Sequence, residues 1–594
     1  MKSKNLLLST AAFTLFSCPL LADDIVAVYD LEGAISETGA GASGLMALAD
    51  QSRPMTHFDL MRSMKAALAD DEVKAVVVEV DGAGLGFSQL QDVHRQLTAL
   101  KEAGKSVWLY TENLSNGVAY LASAADKVVL MPEGNVDFNG MYSESLYFKG
   151  MLDKFGLKAD VIHIGDFKSA GETFYRTGPS EPAKLQTKVL LDDIYGQILD
   201  AVSEGRGISK EEVQGLVDQG FISPEMAKEK GLVDELMYRT DLVAKLRETY
   251  ADAEFDRDYG MPNLDGPEID GIFDLVKVMF NSSKQEESSE PYVAVIALDG
   301  AITDASIAPV RAEILKTLKD DRAKALVLRV NSPGGSASAS DVLWEATDEW
   351  SQSGRPFIVS MGDVAASGGY YVSAGADQIF AEPGTITGSI GVVGMKFVAA
   401  GAMEKMGVTV HREKRGEHSG AMSMTQAFTE AETELIVASM EDVYGTFKKR
   451  ITDGRGDRLV KPIAELGGGR VYSGALALEQ GLVDQLGGIN EAVAAAAKAA
   501  NLNEGEFEVT LRPRPLSAIE AIFAAPEEED GEIIRMSSAK PDLAATLRAS
   551  MIQESFLDLA SPQQKVAIRR FLEQVKSFQE NKVQLIGEVP TLNL

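Results

Sequence analysis

Residues 323–340 read AKALVLRVNSPGGSASAS: an apolar, β-branched run to Val330, a turn at Pro333-Gly334-Gly335, and small residues that open a helical stretch. A near copy, VKAVVVEVDG, ends at Gly82, 250 residues before Ser332. Phe357–Met361 repeats the pattern and is followed by GDVAASGGYYVSAGA. Strands alternating with helices argue for βαβ units and a mostly parallel sheet, with ligand-binding loops at the carboxyl ends of the strands. The expected fold class is α/β.

Working outward, paired segments recur along most of the chain. Asp126 in SAADKVVLMPEG pairs with Asp377 in AGADQIFAEPG, 251 apart; Tyr195 pairs with Tyr444 at 249, and Leu232 with Leu482 at 250. Offsets this steady indicate an internal duplication. IVAVYDLEGAI from Ile25 and YVAVIALDGAI from Tyr292 lie 267 apart, which puts an insertion of roughly 17 residues in the first copy, after Ile35. The expected organisation is a leader at 1–22, a first repeat at 23–250, a linker at 251–291 that includes the polar SSKQEESSEP, a second repeat at 292–500, and a C-terminal extension at 501–594. Within that extension, Ile568, Phe571, Leu572 and Val575 fall on one face of an expected helix.

At 594 residues the chain exceeds a single core, and 45% apolar with 25% charged residues is an ordinary globular composition. A net charge of -32 without a basic run repels phosphate backbones and argues against nucleic acid. Lys2 and Lys4 followed by the mostly apolar Leu6–Leu21 read as an export signal, shorter than the ~20 residues that span a bilayer. Three fates fit it: cleavage after Ala22, lipidation of Cys18, or retention as an anchor. Cys18 is the chain's one cysteine, which leaves the body without disulfides or thiolate metal sites, and no HExxH or His/Asp cluster suggests a metal; no cofactor is expected.

Ser367, in AASGGYY, follows a strand and a turn near the start of a helix, where small neighbours let a substrate backbone approach a nucleophile. The Gly334-Gly335 turn can aim a backbone N–H at a carbonyl oxygen. It lacks the GxxxxGK[ST] spacing of a phosphate loop. Five histidines, His57, His94, His163, His411 and His418, are available as a base, but no local motif ties any of them to a carboxylate.

These stretches, with Thr387–Val392 (TGSIGV) and Gly469–Gly474 (GRVYSG), resemble the long, duplicated form of the signal peptide peptidase A (protease IV) family from about Ile25 to Ala500. The resemblance implies two tandem ClpP/crotonase-like βαβ spiral domains and a serine endopeptidase of a Ser/Lys dyad. By it Ser367 is the nucleophile, and Lys168, in Ile164–Ala170 (IGDFKSA), the general base. Ser389 supports the lysine, and Gly368, Gly334 and Gly335 form the oxyanion hole. It further implies apolar signal peptides as substrates, membrane association on the periplasmic side of the inner membrane, and a homo-oligomer, a tetramer in the family. At an offset of 251, Ser367 corresponds to Asn116 and Lys168 to Ser419, so each repeat keeps one member of the dyad. Two other classes share the fold: a non-catalytic scaffold or binding protein, and a crotonase-like acyl-CoA enzyme, which the export signal disfavours.

Overall fold

The computed structural model describes residues 24–37, 55–261 and 289–513, with the backbone of 584–586 and 592–593. The leader with Cys18, most of the insertion and of the polar linker, and the stripe from Ile568 to Val575 lie outside the described residues.

The first repeat is built on the strands β1 (Ile25–Ala34), β2 (Val73–Gly84), β3 (Ser106–Ser115) and β4 (Lys127–Asp137), followed by the short strands β5 (Tyr142–Ser143), β6 (Lys158–Ile164), β7 (Glu235–Leu236) and β8 (Glu254–Asp256). Its main sheet has the order β7-β4-β3-β2-β1-β8, and every pairing in it is parallel. The helices that matter below are α1 (His57–Ala69), α2 (Phe87–Glu102), α3 (Asn116–Ala122), α4 (Lys149–Phe155), α5 (Glu181–Arg206) and α6 (Arg239–Thr249).

The second repeat restates this plan with β9 (Tyr292–Asp299), β10 (Ala323–Ser332), β11 (Gly334–Ser336), β12 (Phe357–Ala366), β13 (Gln378–Ala381), β14 (Ile386–Gly388), β15 (Val392–Val398), β16 (Val471–Ser473), β17 (Gln485–Leu486) and β18 (Glu508–Arg512). Its sheet runs β16-β14-β12-β10-β9-β18, parallel except where β16 meets β14. Helices α7 (Asp304–Leu318), α8 (Ala337–Gln352), α9 (Gly368–Ser373), α10 (Ala400–Lys405) and α11 (Ile489–Ala499) belong to it.

The runs VVVEV and LVLRV form corresponding central strands of the two sheets, because parallel strands covered on both faces need apolar side chains at nearly every position. In the first sheet one face packs Val76 and Val78 against the α1 and α2 layer, and the other packs Val28 and Val77 under Leu242 and Leu246 of α6. Each such side chain contributes roughly 1.5–3 kcal/mol of burial. The first core continues into the second repeat, taking in Val295, Val327 and Ile489. The α1 and α2 layer is therefore shared between the repeats.

Buried polar contacts fix how the repeats sit. Arg329 donates to Glu37 at 2.8 Å, and Arg95 to Glu382 at 2.6 Å. Ser88 donates from its backbone N and from Oγ to Asp363 on β12, both at 2.8 Å. Removing one member of the fully buried Arg329–Glu37 pair costs about 3–5 kcal/mol, because the other charge is left unpaired.

Two boundaries differ from the sequence reading. Glu254–Asp256, assigned there to the linker, is the edge strand of the first sheet beside β1. Glu508–Arg512, assigned to the extension, holds the same place beside β9. Both are short, polar edge strands without the apolar run that marks a central strand.

A third sheet joins the repeats. β6 of the first pairs antiparallel with β15 of the second, from Lys158 opposite Val398 to Ile164 opposite Val392. On its other edge β15 meets β19 (Gln584–Ile586), which also pairs antiparallel with β11, from Gln584 opposite Ser336 to Ile586 opposite Gly334. Finally, β20 (Leu592–Asn593) pairs with β5.

Candidate active site

The β6–β15 ladder decides which side chains meet. β6 ends at Ile164, and four residues on Lys168 enters the second repeat beside the loops that follow β12 and β14. Its Nζ lies 2.8 Å from Ser367 Oγ, 3.0 Å from the Ser389 carbonyl oxygen and 3.1 Å from Ser389 Oγ. As an ammonium, Lys168 would direct three N–H groups at three acceptors. As an amine, it donates to the two Ser389 oxygens and turns its lone pair to the Ser367 hydroxyl. Lys168 is 2% exposed, and burial pushes its ammonium well below the ordinary lysine range.

Both serines have strained backbones, with φ of 54° at Ser367 and 53° at Ser389. A non-glycine residue held in this region costs of order 1–3 kcal/mol and persists only where its surroundings over-determine it. Here they do. Ser367 N–H donates to the Gly388 carbonyl at 2.7 Å, Tyr371 N–H donates to the Ser367 carbonyl at 2.8 Å, and Ser389 N–H donates to the Arg470 carbonyl at 2.7 Å.

The lysine is held from the opposite side by Gly467–Arg470. Phe167 N–H donates to the Gly468 carbonyl at 2.9 Å, and the Arg470 guanidinium lies 4.0 Å from the Phe167 ring centroid. A Cβ on Gly469 would fall 2.4 Å from Lys168 N, so only glycine lets this backbone close over the lysine. From the first repeat, Gln186 on α5 accepts from Val471 N–H at 3.0 Å, and Leu190 packs on Ile386 and Val471. The sequence reading missed this clasp. Its signal was the run of three glycines at 467–469, the last of which opens the GRVYSG stretch.

Gly368 opens α9 beside the Gly334 turn. A Cβ there would come within 2.6 Å of Ser340 Oγ and 3.1 Å of the Gly334 Cα, so its smallness lets the two turns meet. Its N–H lies in the first turn of α9, where a helix leaves donors without intrahelical partners. Gly334 N–H is already engaged, donating to Ser332 Oγ at 3.1 Å. Gly335 forms a parallel bridge with Ile302 through the flanking Gly334 carbonyl and Ser336 N–H, so its own N–H and C=O face the opposite edge, along β19.

The histidines are occupied elsewhere. His57 is bonded to Asp92 at 3.0 Å in the buried layer between the repeats, His94 to Ser123 at 2.9 Å, and His163 to the Gly165 carbonyl at 3.1 Å. His411 meets Glu413 on an exposed loop, which also carries the exposed His418. The counterparts of the central pair have other partners. Asn116 exchanges two hydrogen bonds with the backbone of Gly140, at 2.9 and 3.0 Å, and Ser419 lies exposed with its Oγ on the Gly416 carbonyl. No group of His, Cys, Asp and Glu suited to a metal ion occurs among the described residues.

Comparison with known proteins agrees with the internal duplication. The model of peptidase family S49 matches twice, at residues 99–253 and 349–503. Protease 4 of Haemophilus influenzae is 32% identical over 479 residues, covering 76% of this chain and 74% of its own. Protease 4 of Salmonella typhi is 30% identical over 493 residues, covering 80% and 76%. The chloroplastic serine protease SPPA of Arabidopsis thaliana is 29% identical over 455 residues, covering 75% of this chain and 65% of its own. Scaffold and acyl-CoA readings give way to a hydrolase, and with two family matches that together span more than half of its length, the chain belongs to peptidase family S49 and is a serine peptidase.

Proposed function

We propose that Ser367 is the nucleophile of this peptidase and Lys168 its general base, with Ser389 orienting the amine. The observation that carries the reading is the 2.8 Å approach of Lys168 Nζ to Ser367 Oγ in a water-excluded setting that favours the neutral amine. Ser367 Oγ attacks the scissile carbonyl carbon while its proton passes to Lys168 Nζ. The oxyanion is met by the N–H groups of Gly368 and the Gly334-Gly335 turn, of which the Gly335 N–H is the one directed to the edge where Gln584–Ile586 now lies and where substrate would replace it. Lys168 returns the proton to the leaving amine, which departs as the C–N bond breaks and leaves an acyl-enzyme on Ser367. Water, giving a proton to Lys168, then releases the acid and restores the serine.

The substrate is an extended peptide that adds as a strand between β11 and β15. The chain's own Gln584–Ile586 in that slot supports this mode, in which main-chain hydrogen bonds supply affinity. A relative 36% identical over 191 residues is named a putative signal peptide peptidase, which supports apolar signal peptides as the substrate class. The basic and apolar start supports export, with the protein acting as a membrane-associated homo-oligomer on the periplasmic side of the inner membrane. No helix among the described residues is long and apolar enough to cross a membrane.

The test is covalent. An acylating serine-protease inhibitor should modify Ser367 alone, as read by peptide mapping. Ser367→Ala and Lys168→Ala should each abolish peptide hydrolysis, with no further loss in the double variant, because both act in one step. Full activity of Lys168→Ala would remove the lysine from the mechanism.

A further inference from the structure

The glycines at 467–469 belong to the second repeat alone. At the repeat offset of 250 they correspond to Val217, Asp218 and Gln219, which end the helix Lys210–Gln219 of the first repeat. In the second repeat the matching helix is Ile463–Leu466, and the chain then runs as a loop over Lys168. Gly468 and Gly469 have φ of 69° and 84°. A run of glycines loses much conformational freedom when it is fixed, so a closed loop here needs anchors.

Each N–H along the loop has one. Gly467 donates to the Ile463 carbonyl at 2.8 Å, Gly469 to the Ile390 carbonyl at 2.8 Å and Arg470 to the Gly467 carbonyl at 3.4 Å. Gly468 donates to a side chain, the Tyr444 hydroxyl oxygen, at 3.0 Å. Tyr444 sits on the long helix Glu430–Arg455, where the Lys448 ammonium one turn on lies 4.3 Å from its ring centroid. A Cβ on Gly467 would stand 2.7 Å from the Tyr444 hydroxyl, so the glycine makes room for the phenol. Gly468 thus carries Tyr444 on its N–H and, on its carbonyl, the N–H of Phe167, the neighbour of Lys168. In the first repeat the corresponding Tyr195 is hydrogen-bonded to the Gln214 side chain instead.

We infer that Tyr444 is a positioning residue: its hydroxyl pins Gly468, and through it Phe167, so that the glycine loop stays closed over Lys168 and keeps water from the amine. The inference rests on the dyad reading above, in which Lys168 works as the neutral amine. Burial is the cause of the lysine's low titration, so a loosened loop would let water stabilise the ammonium and move that titration back up.

Tyr444→Phe keeps the ring and removes the hydroxyl. The midpoint of the alkaline limb in kcat/KM should rise by about one unit towards the ordinary lysine value. Below that midpoint the rate should fall about tenfold, the loss of neutral amine that one unit implies, and above it the rate should approach the parent's, with KM within about twofold throughout. Amide hydrogen exchange at Phe167 should quicken at least about fivefold, a readout that needs no turnover. Tyr195→Phe, the matching change in the first repeat, should leave rate, midpoint and Phe167 exchange as in the parent, with circular dichroism checking that both variants fold. Tyr444→Phe with the parent's midpoint and the parent's Phe167 exchange would overturn the inference, whatever its rate, and a parent limb below the ordinary lysine range would then leave the dyad standing. A parent without that limb, or full activity of Lys168→Ala, would remove the dyad and this inference with it.

Discussion

Replacing Lys168 with Met tests the central electrostatic claim without reference to catalysis. A lysine in the unfolded chain titrates near 10.4. In the folded protein burial holds Lys168 well below that, so below pH 10 the unfolded state binds a proton that the folded state refuses. The sign follows: the native protein gains stability as pH rises through this window and loses it as pH falls. The slope is about 1.4 kcal/mol per pH unit, the value for one proton. Lys168→Met abolishes that slope. It also deprives the buried Ser367 and Ser389 hydroxyls of a partner, which costs about 1–3 kcal/mol for each group left unsatisfied but does not vary with pH. Urea unfolding of both proteins at intervals from pH 9.5 to 7.5, followed by the fluorescence of Trp108 in the first repeat and of Trp344 and Trp350 in the second, gives the difference directly. The variant should improve relative to the parent by about 1.4 kcal/mol for each unit that the pH is lowered, until the pH reaches the folded-state pKa of Lys168, where the gain levels off. Parallel curves would refute a neutral buried lysine.

Peptide hydrolysis, as kcat/KM, should rise with a single deprotonation whose midpoint lies below the ordinary lysine range, since burial disfavours the ammonium; a limb only near 10.4 would contradict the burial. Asn116→Ala should cost about 1–2 kcal/mol of stability through its two lost bonds to Gly140, yet leave kcat/KM within about twofold. Ser419→Ala, on the exposed loop, should change neither; a tenfold loss of kcat/KM in either variant would give the second, degenerate pair a role.

The parallel strands were legible because burial on both faces demands the apolar runs that ALVLRV and VVVEV supply, and the duplication because paired runs kept their spacing. β8 and β18 were not, since edge strands of a few polar residues carry no such pattern. Ser367 could be singled out from its small neighbours after a strand. Lys168 could not be identified from its surroundings in the sequence, because the groups that bury it, Ser389 and the glycines at 467–469, lie more than 200 residues away. Its assignment came through family resemblance. The choice between Gly334 and Gly335 was equally hidden, because it depends on which way one peptide plane faces beside Ile302.

The 199 residues that separate Lys168 from Ser367 also set a timetable. A chain is made from its amino end and domains generally fold as they emerge, so the first repeat can take shape while the serine is still unmade. At that stage the lysine has neither Ser389 beside it nor the Gly468 carbonyl that holds the neighbouring Phe167. Only when Val392–Val398 docks on Lys158–Ile164 does Lys168 lose water and, in the proposed mechanism, Ser367 gain its base. A protease assembled in this order has no competent site while its own polypeptide is unfolded and open to cleavage. With the proposed dyad split between the repeats, duplication has thus placed the safeguard in the order of synthesis.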